Sequence, residues 1–229
     1  MYFNPNEEIT VTWGDGTSNT VTNTDRFKRP LYHSYSYEFI QAHEDKNFII
    51  TVDGNIANFA EGNDVGGIPD PTVGIKPTIV GISPLCRKQY NATFLFSDCT
   101  NLKNIPEDLF DYCSIDDFHG CFSNSGITYV PKDLFKNAAV KSKFYDTFKD
   151  CHDLIKCDLE FDSANSSSFF IFNRMFQGCE NLETVSKDLF KRVRKDVVFL
   201  HCFKGCPKLN VPDGLFDKWP LTDLAVIFE

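Results

Sequence analysis

The residues able to do acid, base, nucleophilic or metal chemistry are few and scattered. Adjacent carboxylates occur at Glu7-Glu8 and Asp116-Asp117, Asp15 sits between two glycines, and the five His are spread along the chain. Paired carboxylates serve glycoside hydrolysis only when a cleft holds them at a set separation, and neighbours in a turn are ordinarily solvated. There is no Gly-x-Ser-x-Gly, no His-Glu-x-x-His and no glycine-rich phosphate loop opening a helix. The nine Cys contain no Cys-x-x-Cys pair. His119, His152 and His201 lie near Cys121, Cys151 and Cys202, but their spacings fit no zinc-ligand pattern. Asp15 as a calcium ligand fails for a different reason: the ion wants roughly six to eight oxygens, and one turn supplies few. The sequence therefore predicts no enzyme, no catalytic residue, no metal site and no cofactor.

What the sequence does contain is repetition. Phe occurs 23 times against two Met and two Trp, which points to one position recurring. Aligning on Phe96, Phe122, Phe148, Phe176 and Phe203 gives spacings of 26, 26, 28 and 27 residues. In this register Cys99, Ser125, Cys151, Cys179 and Cys206 follow each anchor by three residues. Aliphatic columns come next at Leu102, Ile127, Leu154, Leu182 and Leu209, then at Ile105, Val130, Cys157, Val185 and Val211. Units close with Leu109-Phe110, Leu134-Phe135, Leu159-Glu160-Phe161, Leu189-Phe190 and Leu215-Phe216, and Ala92, Phe118, Phe144, Phe172 and Phe199 stand four residues before the anchors.

A unit of this length cannot bury its apolar face alone, so neighbouring units must stack into one core. The Leu-x-x-Ile stretch reads as a strand pairing in parallel with its neighbours, and the Asp-Leu-Phe stretch as a short helical or 3₁₀ turn. Seven of the nine Cys fall into repeat columns, which makes them small core residues and predicts reduced thiols. Ser125 in the Cys column argues against a disulfide ladder. A hydroxyl in an apolar column must find a partner, so Cys179→Ser is expected to cost more than Cys179→Ala.

Two of these units, Met175-Phe176-Gln177-Gly178-Cys179-Glu180-Asn181-Leu182 and Cys202-Phe203-Lys204-Gly205-Cys206-Pro207-Lys208-Leu209, resemble BspA-like leucine-rich repeats. The resemblance covers residues 90–229 and departs from the pattern at Ser125 and at Cys157-Asp158. Members of that family occur on bacterial cell surfaces and in phage structural proteins, so the resemblance implies binding and not catalysis.

Residues 7–59 have another character. Ile9-Thr10-Val11-Thr12-Trp13 alternates apolar and polar β-formers, Gly14-Asp15-Gly16 supplies a turn, Val21-Thr22 begins a return strand, and Phe48-Ile49-Ile50-Thr51-Val52 reads as a buried strand. Trp13-Gly14-Asp15-Gly16-Thr17, with His33-Ser34-Tyr35 and a late strand closing at Gly54, resembles a PKD domain, an immunoglobulin-like spacer or binding module. Between the two parts, nine Gly and Pro residues from Gly62 to Pro84 mark a joint, with Ile79-Val80-Gly81-Ile82 as a strand capping the first repeat. The fold expected is thus mainly β with short helical turns: an Ig/PKD-like β-sandwich over 1–59, a linker or N-cap over 60–89, and a leucine-rich-repeat solenoid of about five units over 90–229.

A net charge of −9 disfavours nucleic acid as a partner. No apolar run reaches the roughly 20 residues that span a bilayer, and the N-terminus has no basic stretch leading into an apolar one, so neither membrane insertion nor a signal peptide is expected. The function expected is a non-enzymatic binding or display protein, a phage virion surface or attachment component folded in the host cytoplasm. The alternative is a fragment of a bacterial cell-surface adhesin. The partners expected are a protein or a cell-surface glycan, and other virion proteins. Tyr112, Tyr129, Tyr145 and Trp219, at variable repeat positions, are the candidate binding residues, because Tyr and Trp dominate interaction hot spots. The basic run Lys191-Arg192-Val193-Arg194-Lys195 reads as a solubilising turn, with a docking patch as its alternative.

Overall fold

In the computed structural model the chain is mostly non-helical, and among the described residues its short strands form three small three-stranded sheets. The structure describes residues 2–3, 8–13, 16–22, 29–30, 51–53, 56–58, 81–82, 85, 92–138, 142–161, 171–193, 197–219 and 226–229. The chain divides into two compact units, Met1–Ala57 and Asn58–Glu229.

The first part holds β1 (Tyr2–Phe3), β2 (Glu8–Thr12), β3 (Ser18–Thr22), β4 (Arg29–Pro30), β5 (Thr51–Asp53) and β6 (Ile56–Asn58), in sheets ordered β4-β1-β6 and β3-β2-β5. The alternation at Ile9–Trp13 is β2, with Ile9, Val11 and Trp13 buried and Glu8 and Thr12 exposed. The return strand is β3, paired antiparallel with β2 from Glu8↔Thr22 to Thr12↔Ser18. Trp13 fastens the hairpin twice: its backbone N–H donates to the Thr17 carbonyl at 3.0 Å, and its indole N–H donates to Asn19 Oδ1 at 2.6 Å. Gly16, at φ 88°, takes a left-handed turn conformation that a side chain would disfavour. Of the strand expected at Phe48–Val52, Thr51 and Val52 are described, and they open β5, antiparallel to β2. Asp15 and His33-Ser34-Tyr35 lie outside the described residues.

In the second part the five-fold register becomes physical contact. The anchor rings stack face to face: Phe96–Phe122 at 5.4 Å, Phe122–Phe148 and Phe148–Phe176 at 5.5 Å, and Phe176–Phe203 at 5.3 Å between centroids. A second column runs parallel, Phe118–Phe144 at 5.2 Å, Phe144–Phe172 at 5.8 Å and Phe172–Phe199 at 5.6 Å. The closing Phe110, Phe135, Phe161, Phe190 and Phe216 form a third, and its rings meet the second column at tilted or edge-on angles. Each fully buried Phe contributes about 1.5–3 kcal/mol of transfer free energy, so these columns dominate what holds the units together.

The aliphatic column falls on β7 (Tyr129–Val130), β8 (Lys156–Cys157) and β9 (Thr184–Val185), which pair in parallel. In each strand the first residue is exposed and the second buried. Val211, expected in this column, is instead 38% exposed, because no further unit stacks beyond it among the described residues. The Asp-Leu-Phe stretches are 3₁₀-type turns, with Leu109 N–H donating to the Pro106 carbonyl, Leu189 to Ser186 and Leu215 to Pro212. Of the proposed capping strand only Gly81 and Ile82 are described, without strand structure, while Leu85 N–H donates to the Leu109 carbonyl at 2.8 Å.

A second parallel ladder, absent from the sequence reading, joins Asp117, Lys143, Ile171 and Val198. From there each Phe-x-x-x-Phe segment alternates its hydrogen bonds. Phe118, Gly120, Phe122 and Asn124 donate across to the carbonyls of Lys143, Tyr145, Thr147 and Lys149, whereas Cys121, Ser123 and Ser125 donate within their own unit. The same scheme recurs from unit to unit, and it satisfies buried backbone groups without a helix. It requires a left-handed residue every four positions. Phe94, Asp98, Gly120, Asn124, Asp146, Asp150, Arg174, Gly178, His201 and Gly205 all have φ between 52° and 75°. Gly, Asn and Asp tolerate that conformation; Phe94, Arg174 and His201 each carry a cost of about 1–2 kcal/mol, which the surrounding stack must hold.

No disulfide joins the described cysteines. Cys151, Cys179 and Cys206 each donate a sulfur hydrogen bond at 3.0 Å to the carbonyl of the preceding unit's anchor, Phe122, Phe148 and Phe176. Burial pushes the thiols of Cys151, Cys157 and Cys206 up to about 12, and those of Cys179 and Cys202 well above 9. The slot is therefore small and supplied with an acceptor, which reverses the expected order of the Ser and Ala substitutions.

Candidate binding surface

Stacking puts equivalent positions of successive units side by side, so a surface is assembled from residues 25 to 30 apart in sequence, as in the hydrogen bonds Asn124 to Asp98 and Asn181 to the His152 carbonyl. Two outward faces carry side chains with chemistry.

The first is the open face of the β7–β9 sheet, where Tyr129, Lys156 and Thr184 stand in register and Thr184 bridges to Asn210. Tyr129 O–H donates to Asp158 Oδ2 at 3.0 Å, Lys156 Nζ lies 2.6 Å from the same oxygen, and the ammonium sits 5.6 Å from the tyrosine ring centre. Partial burial, then the Asp158 carboxylate, raises the Tyr129 phenol above its ordinary value, so it stays neutral and donates. Ile155, just before β8, and Val211, at the uncovered end of the buried column, are 47% and 38% exposed.

The second face follows the Asp117–Val198 ladder. Phe94, His119 and Tyr145 stand in a row across three units, with centroids 4.8 and 5.8 Å apart and all three rings half-buried. Gly120 explains why the Phe94 ring can lie on the next unit: a Cβ there would fall 2.2 Å from the ring. Beside the row is Asp146, nearly buried, gripped at both oxygens by Arg174 at 2.7 and 2.8 Å and 3.4 Å from His119 Nε2. Burial raises the Asp146 pKa, but hydrogen bonds from Arg174 and then His119 outweigh it and bring the carboxyl down to about 2. At neutral pH this pair is a fixed, mutually neutralised set of donors and acceptors.

Of the four candidate tyrosines and tryptophan, Tyr112 is 58% exposed but stands away from both clusters' hydrogen bonds, Tyr129 belongs to the sheet face, and Tyr145 belongs to the aromatic row. Trp219 is not a surface residue. It is 9% exposed, edge-on to Phe199 at 5.0 Å, and closes the end of the Phe columns. Sequence reasoning missed Phe94, His119, Asp146 and Arg174. The available signal was the recurrence of Asp, Asn or Gly six residues after the Ala92/Phe118 column, at Asp98, Asn124, Asp150, Gly178 and Gly205, which marks one left-handed position per unit but not the earlier one where Asp146 and Arg174 sit. In the basic run, Val193 is buried and Lys191 pairs with Asp188 at 3.1 Å, while Arg194 and Lys195 lie outside the described residues.

Over the 3₁₀ turns lie two open grooves of about 230 and 240 Å³, separated by the Asp188–Lys191 pair. Their rims balance Lys132 against Glu160 at 3.0 Å, and Lys218 caps the Lys191 carbonyl. Among the described residues no group of His, Cys, Asp or Glu is arranged to hold a metal ion, and no helix is long and apolar enough to cross a membrane. Compared with family models, with curated proteins and with solved structures, the chain matches none.

Proposed function

We propose that this chain is a non-enzymatic binding or display protein: a leucine-rich-repeat-like solenoid of the BspA kind over residues 90–229, carried with an Ig/PKD-like β module over residues 1–59. The observation that carries the reading is the division of labour within each unit. Buried Phe, Leu and Cys positions repeat nearly unchanged, whereas the outward residues beside them differ from unit to unit, as in Tyr129, Lys156, Thr184 and Asn210. A uniform core with a variable, in-register surface suits recognition, since the backbone is rigid before a partner arrives and little ordering entropy remains to be lost.

The setting we propose is the outside of a phage particle. The buried thiols of Cys151, Cys157, Cys179 and Cys202, not joined in disulfides, fit folding in a reducing cytoplasm, where phage structural proteins assemble. The test is fractionation of particles made by the phage or host that encodes the chain. Antibody against the chain should follow DNA-filled particles through a density gradient and label their exterior. Recovery in the host cell envelope, with none on particles, would overturn the virion reading in favour of a bacterial adhesin.

A further inference from the structure

We infer that the Phe94–His119–Tyr145 row with the Asp146–Arg174 pair is a binding site for an extended, uncharged oligosaccharide of β-1,4-linked pyranoses, lying along the stacking direction with one sugar ring over each unit. The inference rests on the reading of the chain as a binding protein and assigns one face and one ligand class to it.

Three observations select that class. The first is the pairing of half-buried rings with a rigid hydrogen-bonding group. Pyranoses present C–H faces that pack on aromatic rings and hydroxyls that bridge planar donors and acceptors. Phe94, His119 and Tyr145 supply the rings, and Arg174, oriented by both Asp146 oxygens, supplies the planar edge. Second, the rings are inclined to one another by 46° and 54°, so they make no single flat platform for a fused aromatic ligand.

The third observation is spacing. The rings are 4.8 and 5.8 Å apart, and the stacked units recur at the same interval. An extended peptide advances about 3.3 Å per residue, so its same-face side chains recur at about 6.6 Å and run out of step with the row. An equatorially linked pyranose advances by about one ring length and stays in step. Charge points the same way: the Asp146 and Arg174 charges cancel locally, and the chain as a whole is at −9, which opposes a polyanionic glycan.

The test is titration calorimetry of the whole chain with cellohexaose and N-acetylated chitohexaose, with helical maltohexaose and polygalacturonate as comparators. At least one of the two extended neutral hexasaccharides should bind, with maltohexaose and polygalacturonate weaker by about tenfold or more, a difference of the size a few well-placed contacts produce. Tyr145→Ala and Arg174→Gln should each weaken binding by about fivefold or more, while Tyr112→Ala, on an exposed ring outside the row, leaves it unchanged. Tyr145→Leu, which keeps an apolar side chain at the site, guards against misfolding and should also weaken binding. Absence of binding by the wild-type chain to both hexasaccharides overturns the inference, as does binding that Tyr145→Leu and Arg174→Gln leave intact. Neither result touches the particle test above, so the site and the virion reading fail separately.

Discussion

Gly126 is where the repeat is shortest, and replacing it by Ala tests whether the units are stacked as described. Six residues separate the anchor Phe from the following aliphatic in four units, as from Phe148 to Leu154, but only five separate Phe122 from Ile127. The second unit must therefore cut its corner, and it does so against its neighbour: Gly126 N–H donates to the Cys99 carbonyl of the first unit at 3.0 Å. A Cβ on Gly126 would stand 1.8 Å from the Thr100 carbonyl oxygen, whereas ordinary contact begins near 3.4 Å. The obstacle is backbone, so the two units must separate by about 1.5 Å locally, which forfeits the Gly126–Cys99 bond and stretches Thr128 N–H to Lys103 C=O, now 3.2 Å. With each backbone bond worth about 1 kcal/mol and the fully buried Ile127 displaced as well, Gly126→Ala should cost about 2–4 kcal/mol. Urea unfolding followed by circular dichroism measures it, and amide exchange should locate the loss at Gly126 and Thr128. His152→Ala, at an exposed position one residue after a column Cys, as Gly126 is one after Ser125, should stay within about 0.5 kcal/mol of the parent. A Gly126→Ala chain as stable as its parent would refute the close approach and with it the stacking of the first two units.

Four further outcomes are expected. The thiols of Cys151, Cys157, Cys179, Cys202 and Cys206 titrate higher in the folded chain than their ordinary 9, so the folded state binds more protons above that pH; stability should fall from pH 9 upward, by about 1.4 kcal/mol per pH unit for each of these thiols, in urea melts at stepped pH. Cys179→Ser should cost less than Cys179→Ala, because the hydroxyl inherits the Phe148 carbonyl as its acceptor; chemical denaturation of the two variants gives the order directly. Asp146, lowered to about 2 from 3.8, stabilises the fold above pH 4 and loses that contribution as pH drops toward 2, so Asp146→Asn should remove an acid-labile component of about 1–2 kcal/mol from the pH–stability curve. Deleting residues 226–229 should lower the melting temperature and speed exchange at His201 and Phe203, whose N–H groups donate to the Val226 and Ile227 carbonyls, and it removes the Phe228 ring stacked 6.0 Å from Phe203.

What was legible in the sequence is what repeats for apolar reasons. The Phe, Leu and Cys columns were readable because each must meet its own counterpart in the next unit, and that requirement leaves a fixed period. The β2–β3 hairpin was readable because alternation and a glycine turn are local signals. The left-handed positions were only half legible: Gly120, Asn124, Asp150, Gly178 and Gly205 announce themselves by type, but Phe94, Arg174 and His201 do not, since tertiary stacking overrides their preference. Trp219 reads as a surface anchor because it stands at a variable repeat position, yet the Phe columns end there and it closes them. The Asp146–Arg174 pair was out of reach, because its members are 28 residues apart and only the stack's register joins them.

That last limit bears on how the fold is specified. Columns of identical Phe rings stabilise any pairing of units almost equally, since Phe122 on Phe148 and Phe148 on Phe176 share one geometry, 5.5 Å between centroids and planes within 12°. A chain held by rings alone would have several near-equal registers, the condition that leads to misassembly in repeat proteins. Polar pairs between units differ from junction to junction: the exposed Asp111–Lys136 ion pair between the first and second units, the part-buried Asp146–Arg174 ion pair between the third and fourth, and the Lys208–Asn181 hydrogen bond between the fourth and fifth, of which the exposed ones add little net stability. Shifting the stack by one unit would break all of these while preserving the ring columns. The polar pairs therefore act mainly on order, penalising wrong neighbours more than they reward the right ones, and the shortened corner at Gly126 does the same by steric means.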